Sequence, residues 1–163
     1  MKLSNRSRYA LLALLDLASR DDGASRDDGA SRDDGASRGD AALVPLSDLA
    51  RHNNIPPSSL EQAFRALRNA GVVRAQVGSG GGYSLARPAA TITVGSAIRI
   101  LEGTVAPVSC VSRIAYGRCG CADEETCLVR LVMEDVRNAI VSVIDSTTLA
   151  DLVARGRKLQ SKP

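Results

Sequence analysis

Four cysteines, Cys110, Cys119, Cys121 and Cys127, fall within eighteen consecutive positions of a 163-residue chain, and no other cysteine occurs. Thiols crowded onto a polar, glycine-containing stretch are unlike the scattered cysteines of an apolar core. Three chemistries suit them. Soft thiolates ligate iron–sulfur clusters. Four of them satisfy tetrahedral zinc. The Cys119-Gly120-Cys121 pair can also form or exchange disulfides with no metal at all. Asp123, Glu124 and Glu125 place oxygen donors in the same stretch. An enzyme is the weakest alternative. No Cys–His pair, recognisable pair of acid/base carboxylates or cofactor loop accompanies the thiols.

The rest of the chain must hold this segment. Apolar residues make up 44% of it, with no Trp and one Phe, so the core is built from Leu, Val, Ile and Ala. No run of eighteen apolar residues suggests a membrane span, and "MKLSNRSRYA" lacks a signal peptide's apolar run. The expectation is a cytoplasmic protein without a membrane partner, where thiols stay reduced and a cysteine cluster points to metal or redox chemistry. Residues 20–40 carry four Arg and seven Asp, a balance of −3, so the remainder carries +6 against the net +3. Much of that excess precedes residue 90, the footprint of a polyanion partner. A merely solvated surface is the plain alternative.

Along the chain, "LSNRSRYALLALLDLA" has helical spacing from Leu3 to Ala18, with Ser4 as cap. The hexad Ser-Arg-Asp-Asp-Gly-Ala then occurs three times in succession and a fourth copy breaks off. It has nothing larger than Ala to bury, so residues 19–42 are expected to form a flexible Asp/Gly-rich insertion. An aspartate-rich cation site lacks the usual loop spacing. Leu46 to Arg51 predicts a short helix, His52-Asn53-Asn54 a turn, and Ser58 to Asn69 a second helix entered through Pro57. Leu60, Phe64 and Leu67 form its buried stripe, and Gly71 closes it. Two helices joined by a tight turn suggest a helix-turn-helix, against the alternative of a plain helical hairpin.

"VVRAQV" and "YSLAR" predict two strands around "GSGGG", a wing; no Lys-Ser/Thr follows to make a phosphate loop. A helix capped by Thr93 runs from Val94 to Glu102. After the cysteines, "CLVRLVMEDVRNAIVSVIDS" predicts a long helix. Its stripe of Leu128, Leu131, Val132, Val136, Ala139, Ile140, Val143 and Ile144 is broader than a small domain needs. A dimer helix explains it, against simple packing on its own domain. A last helix is expected after Ser146 or Thr147.

Four segments together, "MKLSNRSRYALLALLDLA", "IPPSSLEQAFRALRNAGVV", "GSGGGYSLARP" and "ITVGSAIRILEG", resemble a family of winged-helix repressors. It includes the iron–sulfur cluster regulator IscR, the nitric-oxide sensor NsrR, the iron regulator RirA and the cysteine-metabolism repressor CymR. The resemblance spans nearly the whole chain outside the Asp-rich stretch. It implies a mainly α fold: a winged helix-turn-helix over residues 1–90, a connecting helix over 91–103, a cysteine-rich cluster loop over 104–127, and a dimerisation helix with tail over 128–163. It implies a homodimer on double-stranded operator DNA. Contacts would come from Ser58, Ser59, Glu61, Gln62, Arg65 and Arg68 on the recognition helix and from Arg74, Gly80 and Gly81 at the wing. Ser and Gln donate to base edges, Glu61 accepts from cytosine N4, and Arg takes phosphate or guanine. Val77 stands where IscR-like wings carry Arg.

The resemblance also implies an iron–sulfur cluster, 2Fe–2S ahead of 4Fe–4S, held by three cysteines with five residues between neighbours. Cys121 and Cys127 keep that spacing. Cys110 lies fifteen residues after Gly95, as the family's first cysteine does, but ten residues separate it from Cys121. The fourth ligand departs from the family. Arg130 occupies the place of the IscR histidine, and Arg8 that of the NsrR aspartate. Cys119 is the leading replacement, with Asp123, Glu124 or Glu125 behind it. The alternatives are a cluster-free thiol switch and a four-cysteine zinc site.

Overall fold

The computed structural model describes residues 3–27, 43–78 and 80–161. Its helices are α1 (Asn5–Asp27), α2 (Leu46–His52), α3 (Pro57–Asn69), α4 (Val94–Glu102), α5 (Leu128–Ser146) and α6 (Leu149–Gln160). One antiparallel pair, β1 (Val73–Gln76) and β2 (Gly82–Leu85), completes it. The fold is the mainly α winged helix-turn-helix with a long C-terminal helix that the sequence implies. Among the described residues no helix is long and apolar enough to cross a membrane.

Ser4 caps α1, its Oγ accepting the Ser7 N–H at 3.2 Å. Ala10, Ala13, Leu14 and Leu17 repeat at helical spacing and are buried. The helix does not stop at Ala18. It continues to Asp27, through the first hexad, where a loop was expected. Ion pairs accompany the extension: Asp16 with Arg20 one turn on at 2.8 Å, and Asp22 with Arg157 of α6 at 2.5 Å. The rest of the expected insertion, residues 28–42, lies outside the described residues.

In α3, Pro57 occupies the first turn, where its missing N–H is harmless. Leu60, Ala63, Phe64 and Leu67 face the core. Burying Phe64 alone contributes about 1.5–3 kcal/mol by transfer from water. The wing leans on the same ring: Tyr83 of β2 meets Phe64 edge-on, with centroids 5.0 Å apart and planes at 86°. Val44 adds a short bridge to the hairpin, exchanging both backbone hydrogen bonds with Tyr83. Position 82 must then be glycine, because a Cβ there would meet the Val44 carbonyl at 2.6 Å. The strands are shorter than the sequence pattern suggested.

Thr93 caps α4, accepting the Ser96 N–H at 3.1 Å, and Ala97 and Leu101 join the core formed by α1 and α3. Leu149 and Val153 of α6 enter that core too. Thr148 caps α6, not Ser146 or Thr147, because Asp151 three residues on returns the bond to the Thr148 N–H. That reciprocal box is open to neither neighbour.

A polar knot fixes α1 against the helix-turn-helix. Buried Asp16 accepts from Arg20 Nε at 2.8 Å and Asn53 Nδ2 at 3.1 Å, and pairs with His52 Nδ1 at 2.8 Å. Burial pushes its carboxyl up, but the bonds and charges of Arg20 and His52 more than offset this and hold it below 3.8. Its contribution is therefore complete above the unfolded carboxylate value and is lost as pH falls through the lower folded value. Asp16→Asn should lower stability by about 1–3 kcal/mol at neutral pH. In thermal melts, the gap between wild type and variant should narrow only below about pH 4.

Candidate thiol centre and nucleic-acid interface

The segment between α4 and α5 is held by its own polar side chains. Buried Ser112 meets the Thr104 hydroxyl at 2.9 Å and accepts the Ala115 N–H at 2.9 Å. A 3₁₀ turn, Ser109–Val111, places Cys110 on the inside, 6% exposed. Further along, Glu124 accepts from the Tyr116 hydroxyl at 2.6 Å and from the Cys119 N–H at 2.9 Å. Those bonds, the Tyr116 hydroxyl first, hold its carboxyl below the usual range. Asp123 accepts from the Glu125 N–H and the Thr126 hydroxyl, the hydroxyl lowering its carboxyl most.

These ties bring the four thiols into a row. The Cys119 thiol lies near enough to Cys110 and to Cys121 to raise both. Cys121 Sγ lies 3.9 Å from Cys127 Sγ. Burial pushes the Cys110 thiol up, and Cys119 pushes it further. Hydrogen bonds with Cys119 and Cys127, with burial behind them, push the Cys121 thiol up to about 12. Cys127 moves the other way. It is the N-cap of α5, and its sulfur is lowered first by the Arg130 backbone N–H.

Among the described residues, no three His, Cys, Asp or Glu side chains converge on one metal-ion position. Soft donors side by side fit a multi-iron cluster, whose irons take separate thiolates. The residues at the family's two fourth-ligand positions, Arg130 and Arg8, and the chain's one histidine are committed elsewhere. Arg130 Nη1 donates to the Glu124 carbonyl at 3.3 Å, Arg8 lies over the Tyr9 ring, and His52 serves Asp16.

The α5 helix joins the rest of the chain through polar side chains, with Ile144 beside Gly95. Arg137 is its single buried residue, 5% exposed. Its Nη1 donates to the Val111 carbonyl at 2.6 Å, and its Nη2 reaches Glu134 at 3.0 Å. Nearer the C-terminal end, Asp145 takes both Arg99 Nη atoms of α4 at 2.6 and 2.8 Å. The close approach needs Gly95, where a Cβ would meet Asp145 Oδ1 at 1.9 Å. Leu128, Leu131, Val132, Val136 and Val143 of the apolar stripe face out, Leu128 75% and Val143 64% exposed, while Ile140 and Ile144 are half-buried, Ile144 beside Gly95. Sequence reasoning missed Arg137. A signal existed, since Arg130, Glu134, Arg137 and Asp145 recur at helical spacing opposite the apolar stripe.

On α3, Ser58, Glu61, Gln62, Arg65 and Arg68 are exposed and Ser59 is half-buried, all clear of the Leu60–Phe64–Leu67 face. A cleft of about 420 Å³ between α3 and the wing is lined by Glu61, Arg65, Arg68 and Tyr83. Gly80 and Gly81 form the hairpin tip, the Gly81 N–H closing on the Gly78 carbonyl at 2.9 Å. Arg74 sits at the hairpin base instead, its Nε on Ser84 Oγ at 2.7 Å.

Residues 35–155 match the Rrf2 family, described as iron-dependent transcriptional regulators. The chain belongs to the Rrf2 family. It is 33% identical over 154 residues to the HTH-type transcriptional regulator IscR of Yersinia enterocolitica, covering 94% of this chain and 79% of that protein. The solved structure of CymR, the global cysteine regulator of B. subtilis, superposes with a TM-score of 0.70 at 30% identity, over 95% of this chain and 98% of that one. IscR of T. potens superposes equally, at 0.70 and 28% identity, over 100% and 93%. As a member of this family the chain is a transcriptional regulator, not an enzyme.

The thiol environments set an order of reactivity in metal-free protein. With iodoacetamide at pH 7.5, followed by mass spectrometry, Cys127 should label faster than Cys121 by about tenfold or more. Cys110 should label slowest. Arg137→Leu, which releases the Val111 carbonyl, should raise the Cys110 rate and leave the Cys127 rate unchanged.

Proposed function

We propose that this Rrf2-family regulator is a cytoplasmic homodimer that represses transcription from operator DNA according to the state of a cysteine-ligated iron–sulfur cluster. The observation that carries this is the row of thiols from Cys110 through Cys119 and Cys121 to Cys127, ending at the first turn of α5. Cys110, Cys121 and Cys127 are the three family-like ligands. Cys119 is the fourth, because it lies electrostatically between Cys110 and Cys121 while Asp123 and Glu124 accept bonds from their own loop. A 2Fe–2S centre is the smaller cluster that four thiolates complete. Bound there, it supplies a redox-active, dissociable charge.

The chain's own residues connect that site to DNA. Arg137 holds Val111, next to Cys110, so the start of the loop and the middle of α5 move together. Cys127 begins α5, so the end of the loop and the start of the helix are one residue. The outward stripe of α5, including Leu128, Leu131, Val132, Val136 and Val143, packs on the same stripe of a second copy. Ser58, Ser59, Glu61, Gln62, Arg65 and Arg68 face the major groove, and Arg74, Gly80 and Gly81 follow the backbone beside it. The two α3 helices must match the spacing of two half-sites, so a change in how the α5 helices pair alters affinity.

A thiol switch is the second reading. The 3.9 Å between Cys121 and Cys127, with Cys127 the stronger acid, favours a disulfide between these two. A peroxide would oxidise Cys127 to a sulfenate, and Cys121 would displace hydroxide or water to close the bond.

Anaerobic isolation separates the readings. Bound iron and sulfide with visible absorption are expected, and Cys119→Ser should weaken cluster retention more than Asp123→Asn. A colourless, iron-free chain whose DNA affinity responds only to peroxide would establish the thiol switch instead. In sedimentation equilibrium, Val132→Asp should yield monomers and lower DNA affinity by about 100-fold or more, since one half-site is then bound alone.

A further inference from the structure

Arg6 stands where helix electrostatics disfavour it. A cation in the first turn of α1 faces the positive end of that helix's dipole. Its contacts explain the placement. Arg6 Nη2 donates to the Leu101 carbonyl at 2.8 Å, one of the unsatisfied carbonyls at the C-terminal end of α4. Its Nη1 donates to Gln62 Oε1, on the exposed face of α3, at 3.2 Å. Beside it, the Ser4 N–H donates to Glu102 Oε1 at 2.9 Å, and bonds from Ser4 and Ser7, with the Arg6 charge behind them, hold the Glu102 carboxyl low. One guanidinium therefore spans three helices: it starts on α1, rests on the end of α4, and grips a side chain of α3.

We infer that Arg6 is a specificity-determining positioning residue, which orients the Gln62 amide so that its N–H donors read a guanine edge. The orientation follows from chemistry. A guanidinium only donates, so Gln62 must turn its oxygen toward Arg6 and its NH₂ away. Guanine offers two acceptors in the major groove, N7 and O6, whereas adenine offers one acceptor and one donor. A glutamine whose oxygen is drawn aside matches the first pattern. Holding the amide before DNA arrives also removes part of the entropy lost on binding. Because the same guanidinium rests on Leu101, three residues before the cysteine loop begins at Thr104, the base-reading group is registered to the end of α4. The inference rests on α3 being the base-reading helix and is independent of what the thiols hold.

The plain rival is that Arg6 contacts a phosphate, and the two roles differ in what they move. A duplex is first selected from a randomised double-stranded pool with the full-length wild-type chain. All its single-base-pair variants are then titrated by fluorescence anisotropy at several salt concentrations. Gln62→Ala marks the position that Gln62 reads, and that position should be a G·C pair. Arg6→Ala should lose about fivefold or more of the preference there, keep the preference elsewhere within about twofold, and leave the slope of affinity against salt unchanged. Arg6→Lys, which keeps the charge but cannot span both partners, should lose preference at the same position. The Arg6→Ala/Gln62→Ala double variant should discriminate no worse than Gln62→Ala alone. Unchanged preference in Arg6→Ala, or uniform weakening with a shallower salt slope, would overturn the inference while leaving DNA binding intact; so would a preference for A·T at the Gln62 position. A wild-type chain that enriches no sequence would overturn the DNA-reading role as well.

Discussion

The fold turns on how few polar contacts hold α5 to the rest of the chain. A single buried guanidinium, Arg137, meets a backbone carbonyl at 2.6 Å, and a carboxylate, Asp145, meets Arg99 near the other end. Most amphipathic helices bury their apolar side and solvate their polar side. Here Arg137 and Asp145 are turned inward beside Ile144, and much of the apolar side is left exposed. Polar attachments are directional, so they fix the height and rotation of the helix with few contacts. They are also placed with purpose: one clamps the loop beside Cys110, and the other clamps α4 across Gly95.

The DNA-binding half is built on a different principle. Its register comes from apolar contact, with Phe64 as the shared surface on which the recognition helix and the wing both settle. Asp16 adds a polar pin from α1 to the turn between α2 and α3. The two halves thus meet as a rigid packed block and a helix hung on two polar clamps. Motion is easier at the clamps, where a few hydrogen bonds separate one arrangement from another.

Much of this was legible in the sequence because local signals agreed with tertiary demand. Thr93, Pro57 and Gly71 marked helix ends by chemistry that operates at a single residue, and the Leu60–Phe64–Leu67 stripe needed only a period. The cysteines announced themselves by crowding. What stayed hidden depended on partners distant along the chain. The continuation of α1 past Ala18 brings Asp22 to Arg157, which lies more than a hundred residues beyond it. The direction in which α5 faces depended on Val111 and Arg99, and no periodicity tells a polar stripe that docks from one that is merely wet. The cap of α6 slipped by two positions at most because three hydroxyls in succession all qualify until the Asp151 return bond is seen.

Cys127 closes the row of thiols and opens the long helix, so a single sulfur marks the boundary between chemistry and mechanics. Its negative form answers the exposed amides of the first turn, as a carboxylate would at any helix start. Any change in the charge of that atom is felt first by the amides of the opening turn. Leu128, Val129 and Leu131 ride on that turn, all outward. One sulfur and the apolar tip of a long helix thus lie within a single turn of each other.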